Sequence, residues 1–350
     1  MLKIVIVGSG WWGSELARAA HAEARRTPDR IALGGICSLQ AAEAEALCAQ
    51  LGGQAYADYA SVLADTSVHA VVLATPHSLH ETQVTQAAAA GKHVFVEKPL
   101  ALNRASAERA IHACQQGQRV LAVGHNRRFM PGAQQLRQLI DSGALGQIVH
   151  VEANYSGNLG LKLPATHWRT QREEMPAAGL APMGLHWVDT VQWLLGPIAR
   201  LASIGKRQVT SLALDDTSVT LFELENGIPG VLASNLAHTL TAELRIYGTK
   251  ARAEVRNNFS QLTVEPQANN DSKVSQGSNT QGPWHYPPPQ AAGKASAADP
   301  SLCAELAAFA DSCLEGVPYP VSTQDAVRNV AVMQAIAASA AERGAWQSLR

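Results

Sequence analysis

Three glycines follow an apolar run as Gly8-x-Gly10-x-x-Gly13, and their type and spacing fit one piece of chemistry, holding the pyrophosphate of a dinucleotide. Gly8 permits a tight bend, Gly10 lets the backbone approach the phosphates, and Gly13 allows a helix to pack closely on the strand behind it. The N–H groups at the start of that helix would face the phosphate oxygens. Trp11 and Trp12 lie inside the same turn and count with the glycines as cofactor contacts. Just past the second strand, where a carboxylate usually takes the adenosine ribose, stands Ser38, followed by Leu39 and Gln40. With neither an acid nor an arginine there, the sequence leaves NAD and NADP both open.

The elements that must hold this turn alternate. Residues 3–7 are β-branched and nearly continuous, as in a strand covered on both faces. A helical pattern follows to residue 26, then strands at 31–37, 68–74 and 93–96, with helices over 41–52, 59–64 and 80–91 between them. Strand and helix in turn predict a doubly wound parallel α/β sheet for residues 1–124. From residue 125 the pattern changes to strands without intervening helices, at 148–155, 198–209, 218–223, 230–236, 243–247 and 253–256. This predicts a second α+β domain over 125–350, built on a large, mostly antiparallel, open-faced sheet. Residues 269–300, rich in Gly, Pro, Ser and Asn, read as a long irregular loop, with Trp284, His285 and Tyr286 as a possible lid or subunit contact. Helices at 302–315 and 324–343 close the chain.

Composition narrows the partners. At 350 residues there is room for two cores, and a net charge of -1 with 16% charged residues gives no footprint for nucleic acid. No apolar stretch approaches the length of a membrane span. The five cysteines are odd in number and lack CxxC spacing, which predicts neither a disulfide framework nor a zinc site. A cytoplasmic protein acting on a small molecule is expected, with no bound metal.

The stretch ATPHSLHETQVTQAAAAGKHVFVEKPLA resembles the TPxxxH…GKHVxxEKPxA signature of the Gfo/Idh/MocA (glucose-fructose oxidoreductase / inositol dehydrogenase) family. The resemblance extends through GHNRRF at 124–129, GALGQIVHVEA, GLHWVDTVQWLLG at 184–196 and IYGTKA at 246–251. It implies an oxidoreductase using NAD or NADP. Thr75, Pro76 and His80, with His77 beside them, would line the ribose and nicotinamide, and Glu97-Lys98-Pro99 would sit beside the reacting carbon. It further implies a cis Lys98–Pro99 bond, Lys98 as the acid/base, and a homodimer or homotetramer formed through the second-domain sheet. A lysine is suited to that work, because burial and a neighbouring positive ring both lower its pKa.

The family's D-x-G-x-H-x-x-D motif is altered here. Pro182-Met183-Gly184-Leu185-His186-Trp187-Val188-Asp189 keeps the glycine, the histidine and the last aspartate, but Pro182 replaces the first. His186 remains the second catalytic candidate, with Met183 beside it at the substrate. Asn126, Arg127, Trp168 and Arg169 are further substrate-binding candidates, Arg128 reads as structural, and Trp168 with Trp187 would give a flat apolar wall. The functional expectation is hydride transfer between a nicotinamide and a secondary alcohol of a small cyclic polyhydroxylated substrate (sugar, sugar acid or cyclitol). An alternative is oxidation of a carboxylated cis-dihydrodiol from aromatic-acid breakdown, in which an arginine fork grips the carboxylate. A nucleotide-sensing regulatory protein is the non-enzyme alternative, and the intact Glu97, Lys98 and His186 argue against it.

Overall fold

The computed structural model describes residues 1–267, 284–286 and 298–349. These form two compact units, residues 1–129 with 298–334, and residues 130–267 and 284–286 with 335–349.

The first unit begins β1 (Leu2–Val7), α1 (Trp11–Arg26), β2 (Ile31–Cys37), α2 (Ala41–Leu51), β3 (Gln54–Tyr56), α3 (Tyr59–Ala64) and β4 (Ala70–Leu73). It continues with α4 (His80–Ala89), β5 (His93–Glu97), α5 (Arg104–Gln116) and β6 (Leu121–Gly124). The six strands lie in the order β3-β2-β1-β4-β5-β6, every pair parallel. The order reverses between β1 and β4, where α/β sheets open a crevice at the carboxyl ends of the strands. The apolar run of β1 is explained by its two covered faces. Ile4 and Ile6 pack with Leu16 and Ala20 of α1, and Val5 and Val7 with Val84 and Ala110 on the other side. The short strand β3 carries too few residues to show a period, and the sequence reading passes over it.

The second unit contains α6 (Pro131–Asp141), β7 (Ile148–Ser156), α7 (Leu159–Lys162), α8 (Gly184–Leu195), β8 (Ile198–Lys206) and β9 (Thr217–Leu224). β10 (Pro229–Ala233), β11 (Thr241–Gly248), β12 (Ala251–Arg256), β13 (Gln261–Pro266) and β14 (Trp284–Tyr286) follow. Its sheet runs β14-β13-β12-β11-β7-β10-β9-β8 and is antiparallel except for the β10–β7 pair. Alternation places Ser218, Thr220, Phe222 and Leu224 of β9 inward, and leaves Val219 and Leu221 exposed. Helix α8 covers the inner face, where Trp187 is buried and its indole N–H donates to the Asn154 carbonyl at 3.1 Å. Trp187 is therefore part of the core rather than a wall for substrate.

Two boundaries differ from the sequence reading. Residues 125–129 and α9 (Pro300–Glu315) pack with the first unit. Leu302, Leu306 and Phe309 of α9 complete the core beside Ile4 and Ile6, and Ala326 and Val330 of α10 (Thr323–Ala341) join the opposite core. A parallel sheet needs helices over both faces, and this chain draws two of them from far along the sequence, α9 and α10. Residues 284–286 are an edge strand paired with β13. The rest of the irregular-loop expectation, apart from residues 298–300, lies outside the described residues. The final strand β15 (Gln347–Ser348) pairs with β8.

Candidate active site

The turn after β1 has a different reason for each of its glycines. Gly8 has φ +104°, and a Cβ there would stand 2.6 Å from the Ala74 carbonyl oxygen. A Cβ on Gly13 would fall 1.9 Å from the Gly8 carbonyl oxygen, so α1 lies against the turn as closely as backbone allows. At Gly10 a Cβ would meet nothing within 4 Å. That open space is bordered by the N-terminus of α1, which has no side-chain cap and no acid in its first turn. Unanswered N–H groups and a positive helix end with no acid in its own first turn suit a pyrophosphate. Trp11 stands 77% exposed at this end, with the half-buried Trp12 ring 5.2 Å away.

Ser38 follows β2 inside a short hydrogen-bond chain. The Gln40 N–H donates to Ser38 Oγ at 3.1 Å, Ser38 Oγ lies 2.5 Å from Ser9 Oγ, and the Ser9 hydroxyl donates to the Glu43 carboxylate. A carboxylate thus reaches the glycine turn from α2. The residues that end β2 give no sign of it; the available signal is an acid three residues beyond Gln40, in the first turn of the helix.

At the ends of β4 and β5, His80 is fully buried. Its Nδ1 lies 2.8 Å from the Pro99 carbonyl oxygen and its Nε2 3.1 Å from that of Thr75. The ring that was expected to line the cofactor instead braces two turns, with the buried His77 ring 5.8 Å away. Thr75 Oγ1 donates to Gln83 at 2.5 Å. The Lys98–Pro99 bond is cis. Lys98 is half-buried, and its N–H donates to the side chain of the preceding Glu97 at 3.2 Å. Burial raises the Glu97 carboxyl above the usual glutamate range, opposed chiefly by the Lys98 charge.

Behind this edge lies Glu305 of α9, with no exposed surface and no hydrogen-bond partner for either carboxyl oxygen. Burial, then the neighbouring Glu97, pushes its carboxyl well above the usual range. Asn126 and Arg127, expected at the substrate, are interior groups of this unit. Asn126 donates to Ser301 at 2.9 Å and accepts from Arg127 at 2.6 Å, tying the end of β6 to the start of α9. Arg128 pairs with Asp325 at 3.1 Å.

In the second unit, Ser234 fixes the start of α8. Its hydroxyl lies 2.9 Å from the Tyr155 carbonyl and 2.7 Å from that of Gly179, and a Cβ on Gly184 would come within 2.8 Å of Ser234 Oγ. This holds the buried His186 with its ring 5.8 Å from that of Tyr155, an aromatic near the end of β7 that the sequence reading did not single out. Met183 precedes the helix, and Pro182 stands where the motif has its first aspartate. The Arg169 guanidinium lies 4.2 Å over the Trp168 ring, and the His167 ring stacks on the same indole.

The first unit therefore gathers Gly8, Gly10, Gly13, Ser38, Thr75 and Lys98 at the carboxyl ends of adjacent strands, while His186, Met183, Trp168 and Arg169 belong to the second. No helix among the described residues is long and apolar enough to cross a membrane.

Comparison with known proteins agrees with this arrangement. Residues 2–125 match the model of the oxidoreductase family with an NAD-binding Rossmann fold, and residues 133–254 match that of the GFO/IDH/MocA C-terminal domain. The chain is 29% identical over 202 residues to an uncharacterized oxidoreductase of Streptococcus pneumoniae serotype 4, a match that covers 56% of this chain and 51% of that protein. It is 29% identical over 265 residues to inositol 2-dehydrogenase of Salmonella typhimurium strain LT2, covering 73% of this chain and 74% of that one. In fold it resembles levoglucosan dehydrogenase solved with NADH and levoglucosan, with a TM-score of 0.87 at 21% identity over 99% of each chain. Both matched models carry the family's name and together take in most of the sequence, and the chain belongs to the GFO/IDH/MocA family of oxidoreductases, with an NAD-binding Rossmann domain at its start.

Proposed function

We propose that the chain is an NAD(P)-dependent dehydrogenase or reductase that moves a hydride between the nicotinamide and a secondary alcohol carbon of a small cyclic polyhydroxylated compound. A sugar, sugar acid or cyclitol fits this description. The observation that carries the reading is a convergence on one sheet edge. The glycine turn follows β1, Thr75 follows β4 and Lys98 follows β5, so an uncapped helix N-terminus and a primary amine share the carboxyl ends of adjacent strands at the point of strand-order reversal. The dehydrogenases named above, one for inositol and one for levoglucosan, support the substrate class.

The bound nicotinamide supplies the site that takes up or returns the hydride. The chain's own part is the proton. In oxidation the Lys98 amine accepts the hydroxyl proton, and in reduction its ammonium gives it back. Glu97 accepts from the Lys98 N–H and holds the start of that turn. His186, on the second unit, is the further candidate for the substrate hydroxyl, and Pro182 before it can neither exchange a proton nor orient an imidazole. The carboxylated dihydrodiol reading loses one of its arginines, because Arg127 is engaged with Asn126 inside the first unit.

The outer face of the second sheet supports a homo-oligomer. Ile204, Val219 and Leu221 are exposed side by side on β8 and β9, and across β10 and β7 the same sheet carries a ladder on β11 and β12 in which Arg245 meets Glu243 and Glu254. Such a face, part apolar and part carrying both charges, matches a second copy of itself. Five thiols without a disulfide support a cytoplasmic setting.

The test is a screen of cyclitols, sugars, sugar acids and aromatic dihydrodiols with NAD or NADP, read by reduced-nicotinamide fluorescence. A signal from a cyclic polyol that disappears in Lys98→Met supports the proposal. A dinucleotide-binding protein that oxidises none of them overturns it.

A further inference from the structure

We infer that Glu43 is the residue that selects between NAD and NADP, accepting the adenosine ribose hydroxyls of NAD and repelling the 2′-phosphate of NADP. The inference rests on the dinucleotide reading above and deepens it. Three observations carry it. First, the Glu43 carboxylate is tethered to the glycine turn itself: Ser9, between Gly8 and Gly10, donates to it, and Ser38 and the Gln40 N–H order that hydroxyl from behind. With the Gln40 N–H donating to Ser38, the Ser38 proton is directed to Ser9 and the Ser9 proton to Glu43, so the whole chain of donors ends on the carboxylate.

Second, an acid at the third position of a helix ordinarily turns back to cap the N-terminal N–H. Here that N–H, on Gln40, is already taken by Ser38, and Glu43 faces the turn instead. Third, its charge stands uncompensated. Glu43 is exposed, makes no ion pair among the described residues, and residues 38–51 contain no Lys or Arg to receive a phosphate. The carboxylate that such folds usually place at the end of the second strand is therefore delivered from the next helix.

The test is equilibrium binding of NAD and of NADP to the full chain, read by quenching of the Trp emission, for the native protein, Glu43→Gln and Ser9→Ala. The expected result is tighter binding of NAD by the native protein. Glu43→Gln should lose NAD affinity by about tenfold, the worth of a charge-assisted hydrogen bond, while its NADP affinity rises. Ser9→Ala, which keeps the charge and cuts the tether, should lose less NAD affinity and gain none for NADP. Equal native affinities, or a Glu43→Gln variant with an unchanged NAD-to-NADP ratio, would overturn the role of Glu43 and leave the dehydrogenase reading intact. Binding of neither dinucleotide would overturn both.

Discussion

His80 Nδ1 stands 2.8 Å from the carbonyl oxygen of Pro99, with the other ring nitrogen 3.1 Å from that of Thr75. One buried ring thus joins the turn after β4 to the turn that carries Lys98. We expect His80→Leu to cost about 1–3 kcal/mol, because a buried carbonyl loses its donor, and to lower turnover more than dinucleotide affinity. His80→Gln, which keeps a donor, should recover part of both. Urea unfolding and steady-state kinetics measure the two effects, and a His80→Leu enzyme with native turnover would remove His80 from the positioning of Lys98.

Lys98→Met should leave dinucleotide affinity nearly intact while lowering turnover by about 10²- to 10⁴-fold, the usual contribution of a placed acid/base. His186→Asn should lose less, since no carboxylate stands at position 182 to hold its tautomer. Turnover against pH for both variants decides which residue exchanges the proton, and the reverse ranking would assign it to His186.

The glycines separate binding from folding. Gly10→Asp has room for its side chain and should fold normally, yet lose dinucleotide binding to the charge placed in the phosphate space. Gly13→Ala would press a methyl onto the Gly8 carbonyl and should lower the melting temperature as well. Circular dichroism melts beside calorimetric titration distinguish these outcomes; a stable Gly13→Ala protein would contradict the close approach.

Glu305 predicts a pH dependence of stability. Its folded carboxyl titrates well above the usual 4.5, so the folded chain keeps a proton that the unfolded chain has released. Stability is then complete below the unfolded value and falls as pH rises from there toward the raised folded value. Glu305→Gln, which carries no proton to lose, should flatten this decline, with Glu97 retaining part of it. Urea midpoints at about pH 5 and about pH 8 test this, and an equally steep decline in the variant would contradict it.

On the outer sheet face, Leu221→Arg places a charge among exposed Val219 and Ile204. The expected outcome is a smaller assembly by light scattering with an unchanged melting profile at low concentration. Native mass in the variant would place the contact elsewhere.

Much of this protein is written locally. The β-branched run of β1, the glycine spacing after it and, short β3 apart, the alternation through β5 need only neighbours along the chain, so strand, turn and helix were legible; Lys98 and His186 are proposed from the motifs around them. What the sequence could not decide depends on partners far away in it. The covering of Ile4 and Ile6 by Leu306 and Phe309 joins residues 300 apart, and no period or turn signal encodes that pairing. The same holds for Arg127, whose sequence neighbours suggest a pocket, but whose bonds to Asn126, itself held by Ser301, place it inside the first unit. His80 reads as a ligand until both its nitrogens are found on backbone carbonyls. Glu43 carries no mark of its own in the sequence; only the fold ties it to the glycine turn through Ser9 and Ser38. The sequence by itself determined which chemical groups are present and the local shapes that carry them; only the tertiary structure decided which are buried and bonded and which are left exposed, because burial and hydrogen-bond satisfaction are properties of the packed chain.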